Sequence, residues 1–141
     1  MLSIITATGD LHYSLKEKTI NGERYVEFLQ QILRSRTRPL IVITDKVSFH
    51  KSSTVSEFVR AHRTQIRIFF FPTHSPELNP DEQVWNELKH RQLGKQPIKN
   101  KTDLKERIRS ILKTLQHKAK KVQSFFQLPD TKYAAIPEAV T

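Results

Sequence analysis

The chain has 141 residues, enough for one domain with an apolar core, and its 37% hydrophobic and 9% aromatic content argues against a disordered polymer. With no cysteine it can form no disulfide, thiolate metal centre or cysteine nucleophile. No apolar run approaches the roughly 18 residues of a membrane span and the opening residues are not a signal peptide, so a cytoplasmic location and no membrane partner are expected.

Twenty-four Lys and Arg against 14 Asp and Glu leave a net charge of +10. Between Lys89 and Val122 there are 12 basic residues and two acidic ones, Asp103 and Glu106, so that segment holds the whole excess and the remainder sums to zero. Such clustering suits a polyanion, most plausibly nucleic acid, although a solvated basic face with no partner has the same composition.

In chain order, Leu2 to Thr8 reads as a β-branched strand and Leu11 to Leu15 as its partner across a Gly9-Asp10 turn. Asn21 offers an N-cap to a helix that places Tyr25, Phe28, Leu29, Ile32 and Leu33 on one face. Leu40 to Ile43 is a short continuous apolar run, the pattern of a strand buried on both faces, and it ends at Thr44-Asp45. Ser52 to Arg63 reads as a helix with Val55, Phe58 and Val59 inward, and Ile66 to Phe71 as another buried strand stopped by Pro72.

The stretch from Pro72 to Pro80 is too rich in proline for regular structure. Asn79 as N-cap and Pro80 at the first helical position then start a helix to about Leu93, with Val84, Trp85 and Leu88 on its buried face. After a break from Gly94 to Asn100, a long helix over about Thr102 to Phe126 places Leu104, Ile108, Ile111, Leu112 and Leu115 on one face and Lys105, Arg109 and Lys113 on the other. Residues 1–128 are expected to form one domain and 129–141 a loose tail. The alternation of strands and helices predicts an α/β layered fold, whose ligands sit at the carboxyl ends of the strands, where Asp45 falls.

Two carboxylates stand where chemistry is plausible. Asp45, at the end of an apolar strand, would be held rigidly at the sheet rim, a good place for a hard cation; it would equally cap the following turn. Glu82 lies at the margin of its helix's apolar face, within reach of a metal, but Asn79-Pro80-Asp81-Glu82 also reads as a capping box in which Glu82 bonds back to the Asn79 amide. Asp81 is expected to point further out and to act mainly on the helix dipole. No His-x₃-His pair, Gly-x-Ser-x-Gly elbow or glycine-rich phosphate loop is present.

Together, Ile43-Thr44-Asp45-Lys46-Val47-Ser48-Phe49-His50-Lys51-Ser52 and Ser75-Pro76-Glu77-Leu78-Asn79-Pro80-Asp81-Glu82-Gln83-Val84-Trp85 resemble the DDE transposases of mariner-like elements and their bacterial insertion-sequence relatives. In that resemblance Asp45 matches the second catalytic acid, His50 the family histidine and Glu82 the third acid, and the 36 residues between the two acids (46–81) agree with the family's spacing. Lys46 stands where the family usually has Asn. The family's first aspartate lies on a strand upstream of the hairpin, and no residue of this sequence matches it; Asp10 sits in the hairpin turn and is no substitute.

The resemblance implies an RNase H-like mixed sheet flanked by helices, here without its first, central strand, so that Leu40 to Thr44 becomes an open apolar edge. It implies metal-dependent DNA cleavage and strand transfer with two Mg²⁺ or Mn²⁺ ions in the complete site, held in part by Asp45 and Glu82. It further implies contacts of Lys46, His50, Lys89, Arg91, Lys105, Arg109 and Lys113 with DNA (transposon ends and target), and a homodimer in the complete enzyme. Without the first aspartate the chain alone is expected to be inactive, completed by an upstream-encoded transposase fragment, or else a non-catalytic truncated transposase that binds DNA or dimerises with a full-length one.

Overall fold

The computed structural model describes residues 1–15, 20–45, 52–92 and 97–135, without the side chains of 91 and 92. The chain divides into two compact units. One comprises residues 1–2 and 16–79; the other comprises 3–15 and 80–141.

The first unit is built on a strand–helix–strand crossover and a preceding helix. Helix α1 (Gly22–Arg34) starts where its sequence requires, because the Asn21 side chain accepts a hydrogen bond from the Arg24 amide at 3.0 Å. Its apolar stripe buries Tyr25, Phe28, Leu29 and Ile32 as the periodicity predicts, while Leu33 is half-buried. Strand β3 (Leu40–Thr44) follows, then α2 (Ser53–Ala61), which is capped by the Ser52 hydroxyl and turns Val55 and Phe58 inward. Gly22 allows α1 and α2 to approach, since a side chain there would collide with the Ser52 hydroxyl.

Strand β4 (Ile66–Phe70) pairs with β3 in parallel, with Leu40 opposite Ile66 and Thr44 opposite Phe70. Among the described residues β3 pairs with no other strand. The two strands are not buried on both faces, as their unbroken apolar runs predicted. Leu40, Val42 and Ile66 are buried, whereas Ile41 is 65% exposed and Phe69 54%, with Ile43 and Phe70 also exposed. Side chains alternate across a strand, and α1 and α2 supply cover for one face's worth of them. The apolar composition of the run therefore overstates its burial.

The second unit joins a hairpin to the carboxyl-terminal helices. Strands β1 (Leu2–Ile5) and β2 (Leu11–Ser14) form a separate two-stranded sheet. The five residues between them suffice only for an antiparallel pair. Gly9, at φ +102°, closes the turn, and a Cβ on it would lie 2.6 Å from the Ala119 carbonyl oxygen. The hairpin is tied to the helices by two amides: Gln116 donates to the Leu11 carbonyl at 2.9 Å and Gln123 to the Thr8 carbonyl at 2.8 Å.

The helix expected over about Thr102 to Phe126 is in fact two, α4 (Lys101–Gln116) and α5 (Ala119–Ser124), separated at His117 and Lys118. The hairpin turn packs on Ala119 just past the break, a contact that no local pattern encodes. Ile111, Leu112 and Leu115 are buried as predicted, and Leu104 and Ile108 half-buried. Thr131, within the segment expected to be loose, is 1% exposed and donates to the Phe125 carbonyl at 2.7 Å.

Candidate functional site

In the first unit the candidate site is the carboxyl end of the β3–β4 pair. Asp45 follows the last residue of β3 and is exposed there. The Phe71 amide donates to the Thr44 carbonyl at 2.8 Å, so the chain leaving β4 starts beside Asp45. It continues into the proline-rich loop, where His74 adopts the left-handed conformation at φ 58°, and then into a 3₁₀ turn at Pro76–Leu78. Sheet pairing thus sets Phe71, at the head of the loop that leads to the second motif, beside the Thr44–Asp45 end of β3.

One residue at this rim was not singled out from the sequence. Tyr25, read only as part of the α1 core stripe, lies close enough to Asp45 for the carboxylate to oppose ionisation of its phenol. Burial first, and the Asp45 charge second, push the phenol well above its ordinary range, while a hydrogen bond with the Thr44 side chain acts the other way. Tyr25 is therefore a neutral hydroxyl placed by α1 against the last two residues at the end of β3. The available signal was that it alone, among the stripe residues, carries a polar tip.

In the second unit, Glu82 opens α3 (Glu82–Glu87), which continues as a π-helical turn at Leu88–Gln92. Glu82 is half-buried, as its marginal position on the helix implied. The helix begins two residues later than expected: Asp81 is its N-cap, in helical backbone and without a side-chain cap, and Asn79 instead ends the 3₁₀ turn. Asp81 does not simply face outward. Its carboxylate accepts a hydrogen bond from the Ser3 hydroxyl of β1 at 2.7 Å. Trp85 is not the buried anchor it was expected to be. Val84 and Leu88, one helical turn apart, occupy the inward stripe of this short helix and leave Trp85 37% exposed.

The expected DNA contacts fare unevenly. Lys89, Arg109 and Lys113 are exposed and Lys105 half-exposed, all in the second unit. The basic count of that segment overstates its free charge, because Arg107 pairs with Asp103 at 3.1 Å and Lys121 with Glu87 at 3.0 Å. Lys46 and His50 lie outside the described residues, as does the side chain of Arg91. Among the described residues no group of three or more His, Asp or Glu side chains is placed to hold a metal ion. Asp45 belongs to the first unit and Glu82 to the second.

The model of the DDE superfamily endonucleases matches residues 1–105 of the 141, a span that contains both acids. No curated protein matches the chain by sequence. Among solved structures, the catalytic domain of Mos1 mariner transposase superimposes with a TM-score of 0.61 at 13% identity, over 93% of this chain and 72% of that one. The same domain with raltegravir and Mg gives 0.61 at 15% identity, over 93% and 73%. With raltegravir and Mn it gives 0.61 at 13% identity, over 97% and 82%. The α/β architecture is accordingly the RNase H-like one of that catalytic domain. With the family model covering most of its length, the chain belongs to the DDE superfamily of endonucleases.

Proposed function

We propose that this chain is a DDE-type transposase domain in which Asp45 and Glu82 are two of the carboxylates that hold divalent metal for cleavage and joining of DNA. The observation that carries the reading is the family match, whose span of residues 1–105 includes Asp45 at the end of β3 and Glu82 at the start of α3. Carboxylate oxygens suit Mg²⁺ or Mn²⁺, and both ions occur with the Mos1 domain. In the family's chemistry the bound metal supplies an activated nucleophile and charge stabilisation at the scissile phosphate.

This chain's own residues would act in three ways. Asp45 and Glu82 offer oxygen ligands, and Tyr25 steadies the Thr44–Asp45 end of β3 with a hydroxyl that stays neutral. Lys89, Lys105, Arg109 and Lys113 grip the phosphate backbone without reading sequence, with Lys46, His50 and Arg91 completing the contact surface. Two carboxylates fall short of a full ligand set. The third comes from a strand outside these 141 residues, whether in the same polypeptide or from an upstream-encoded fragment, and the complete enzyme acts on transposon ends and target DNA as a homodimer.

Trp85, the only tryptophan, sits one helical turn from Glu82 and is partly exposed, so Mn²⁺ held by Glu82 should quench its fluorescence. Titration should show saturable quenching, weakened in both Asp45→Asn and Glu82→Gln. Quenching that persists unchanged in both variants refutes the site assignment. Salt-sensitive DNA binding with no saturable Mn²⁺ site would instead support the non-catalytic reading, a truncated transposase that binds DNA or pairs with a full-length one.

A further inference from the structure

The sequence-wide charge sum hides a second basic surface. Outside 89–122 the charges cancel, yet six of the ten arginines fall within two short stretches: Arg34, Arg36 and Arg38, and Arg60, Arg63 and Arg67. No acidic residue and no lysine lies anywhere in 28–44 or 58–76. The fold merges these stretches. The first leads from the end of α1 into β3 and the second from the end of α2 into β4, and the parallel pairing sets Leu40 opposite Ile66. The Leu40 amide donates to the Gln65 carbonyl at 2.8 Å, which pins the two connections side by side. All six arginines thus gather at the amino end of the β3–β4 pair, and all lie in the first unit.

Five of the six are exposed and Arg36 is half-buried, with its Nε shielded from solvent and bonded to nothing among the described residues. A structural role accounts for part of the cluster: α1 and α2 both end here, and Arg34 and Arg60 lie in their last turns, where a cation offsets the helix dipole. Two helix ends supply only about −0.5 charge each, against six full positive charges. Arg36, Arg38, Arg63 and Arg67 remain unexplained by capping.

We infer that the amino end of the β3–β4 pair is a second phosphate-backbone binding surface for nucleic acid, away from the Asp45 end of that pair and built of residues other than those of the α4 face. The choice of arginine over lysine at all six positions fits planar, bidentate recognition of phosphate rather than general solubility. The surface is distinct from the Asp45 rim because β3 runs between them. At about 3.3 Å per residue the five-residue strand separates the two ends by roughly 16 Å, too far for one phosphate to touch both. A DNA segment held here is one that the chain grips away from the point of cleavage.

The test measures binding of the full chain to a fluorescein-labelled duplex by anisotropy across a salt series without divalent metal, so that it is independent of the metal site. Arg36→Gln/Arg38→Gln/Arg63→Gln should flatten the slope of log K against log salt by about 2 to 3, at about 0.9 for each phosphate that is no longer neutralised. The corresponding triple Lys variant should keep most of the slope. Phenylglyoxal modification of the unsubstituted chain, read by mass spectrometry, should show these arginines protected by the duplex. An unchanged slope in the Gln variant overturns the inference, as does absence of protection. So does a Gln variant that keeps DNA binding but no longer binds vesicles containing phosphatidylserine, which would make the surface a lipid contact.

Discussion

The two units use the same kinds of residue differently. In the second, polar side chains are engaged internally: Gln116 and Gln123 hold the hairpin, Ser3 holds Asp81, and Arg107 and Lys121 are paired with acids. In the first, five arginines are exposed and a sixth, Arg36, is half-buried, with no acid in their own segments, and the sheet leaves Ile41, Ile43 and Phe69 exposed. One unit is closed by contacts between its own elements, and the other presents surfaces suited to something else. Net charge by segment does not reveal this, because a basic residue beside an acid and a basic residue facing solvent count alike.

The comparison can be broken most forcefully at the two cores. Leu29 in α1 and Leu112 in α4 are both fully buried. Leu29→Ala and Leu112→Ala should each destabilise the chain by about 3 kcal/mol in denaturant unfolding. If the units are independent, the two variants will lower different transitions; a single shared transition would show that they fold as one.

A smaller effect, about 2 kcal/mol, is expected for Gly9→Ala, which combines a positive φ with a collision against Ala119. Its loss should be confined to the second unit, visible as faster amide exchange in the hairpin and α5 and not in α1. Gln116→Ala should cost about 1 kcal/mol in the same region, the worth of one hydrogen bond to a partly buried carbonyl.

The smallest effect at neutral pH belongs to Tyr25. Its phenol is held above the ordinary value in the folded chain. Above about pH 10 the unfolded chain therefore loses this proton and the folded chain keeps it, so stability falls as pH rises. Tyr25→Phe should make the alkaline decline shallower in a urea-melt series while leaving the slope between pH 6 and 8 unchanged. An equal alkaline slope in both proteins would show that burial and the Asp45 charge do not hold the Tyr25 phenol above its ordinary range. Finally, Ile41→Thr/Phe69→Thr should leave the unfolding free energy within about 0.5 kcal/mol of the parent while raising solubility, as expected of exposed positions on a sheet.

Much of the architecture was legible in the sequence wherever the determining signal is local. Asn21 begins α1 because a short polar side chain next to an amphipathic stripe satisfies free amides, and that cap forms as read; Ser52, read only as the first residue of its helix, caps α2 in the same way. The apolar runs identified β3 and β4, and the motif around Asp45 and Glu82 pointed to the family that the chain proves to match. The reading failed where burial depends on what covers a segment. An unbroken apolar run suited two-sided burial, yet half of it is exposed.

Only tertiary structure could decide the rest. The break between α4 and α5 lies next to Ala119, against which a hairpin turn about 110 residues earlier packs. The nearness of Tyr25 to Asp45, and the convergence of two arginine stretches some 20 residues apart, depend on how α1 packs and how β3 pairs with β4. Periodicity and capping encode how a segment turns about its own axis. Which segments become neighbours is set by competition among all the faces the chain must bury, and that information is spread over the whole molecule.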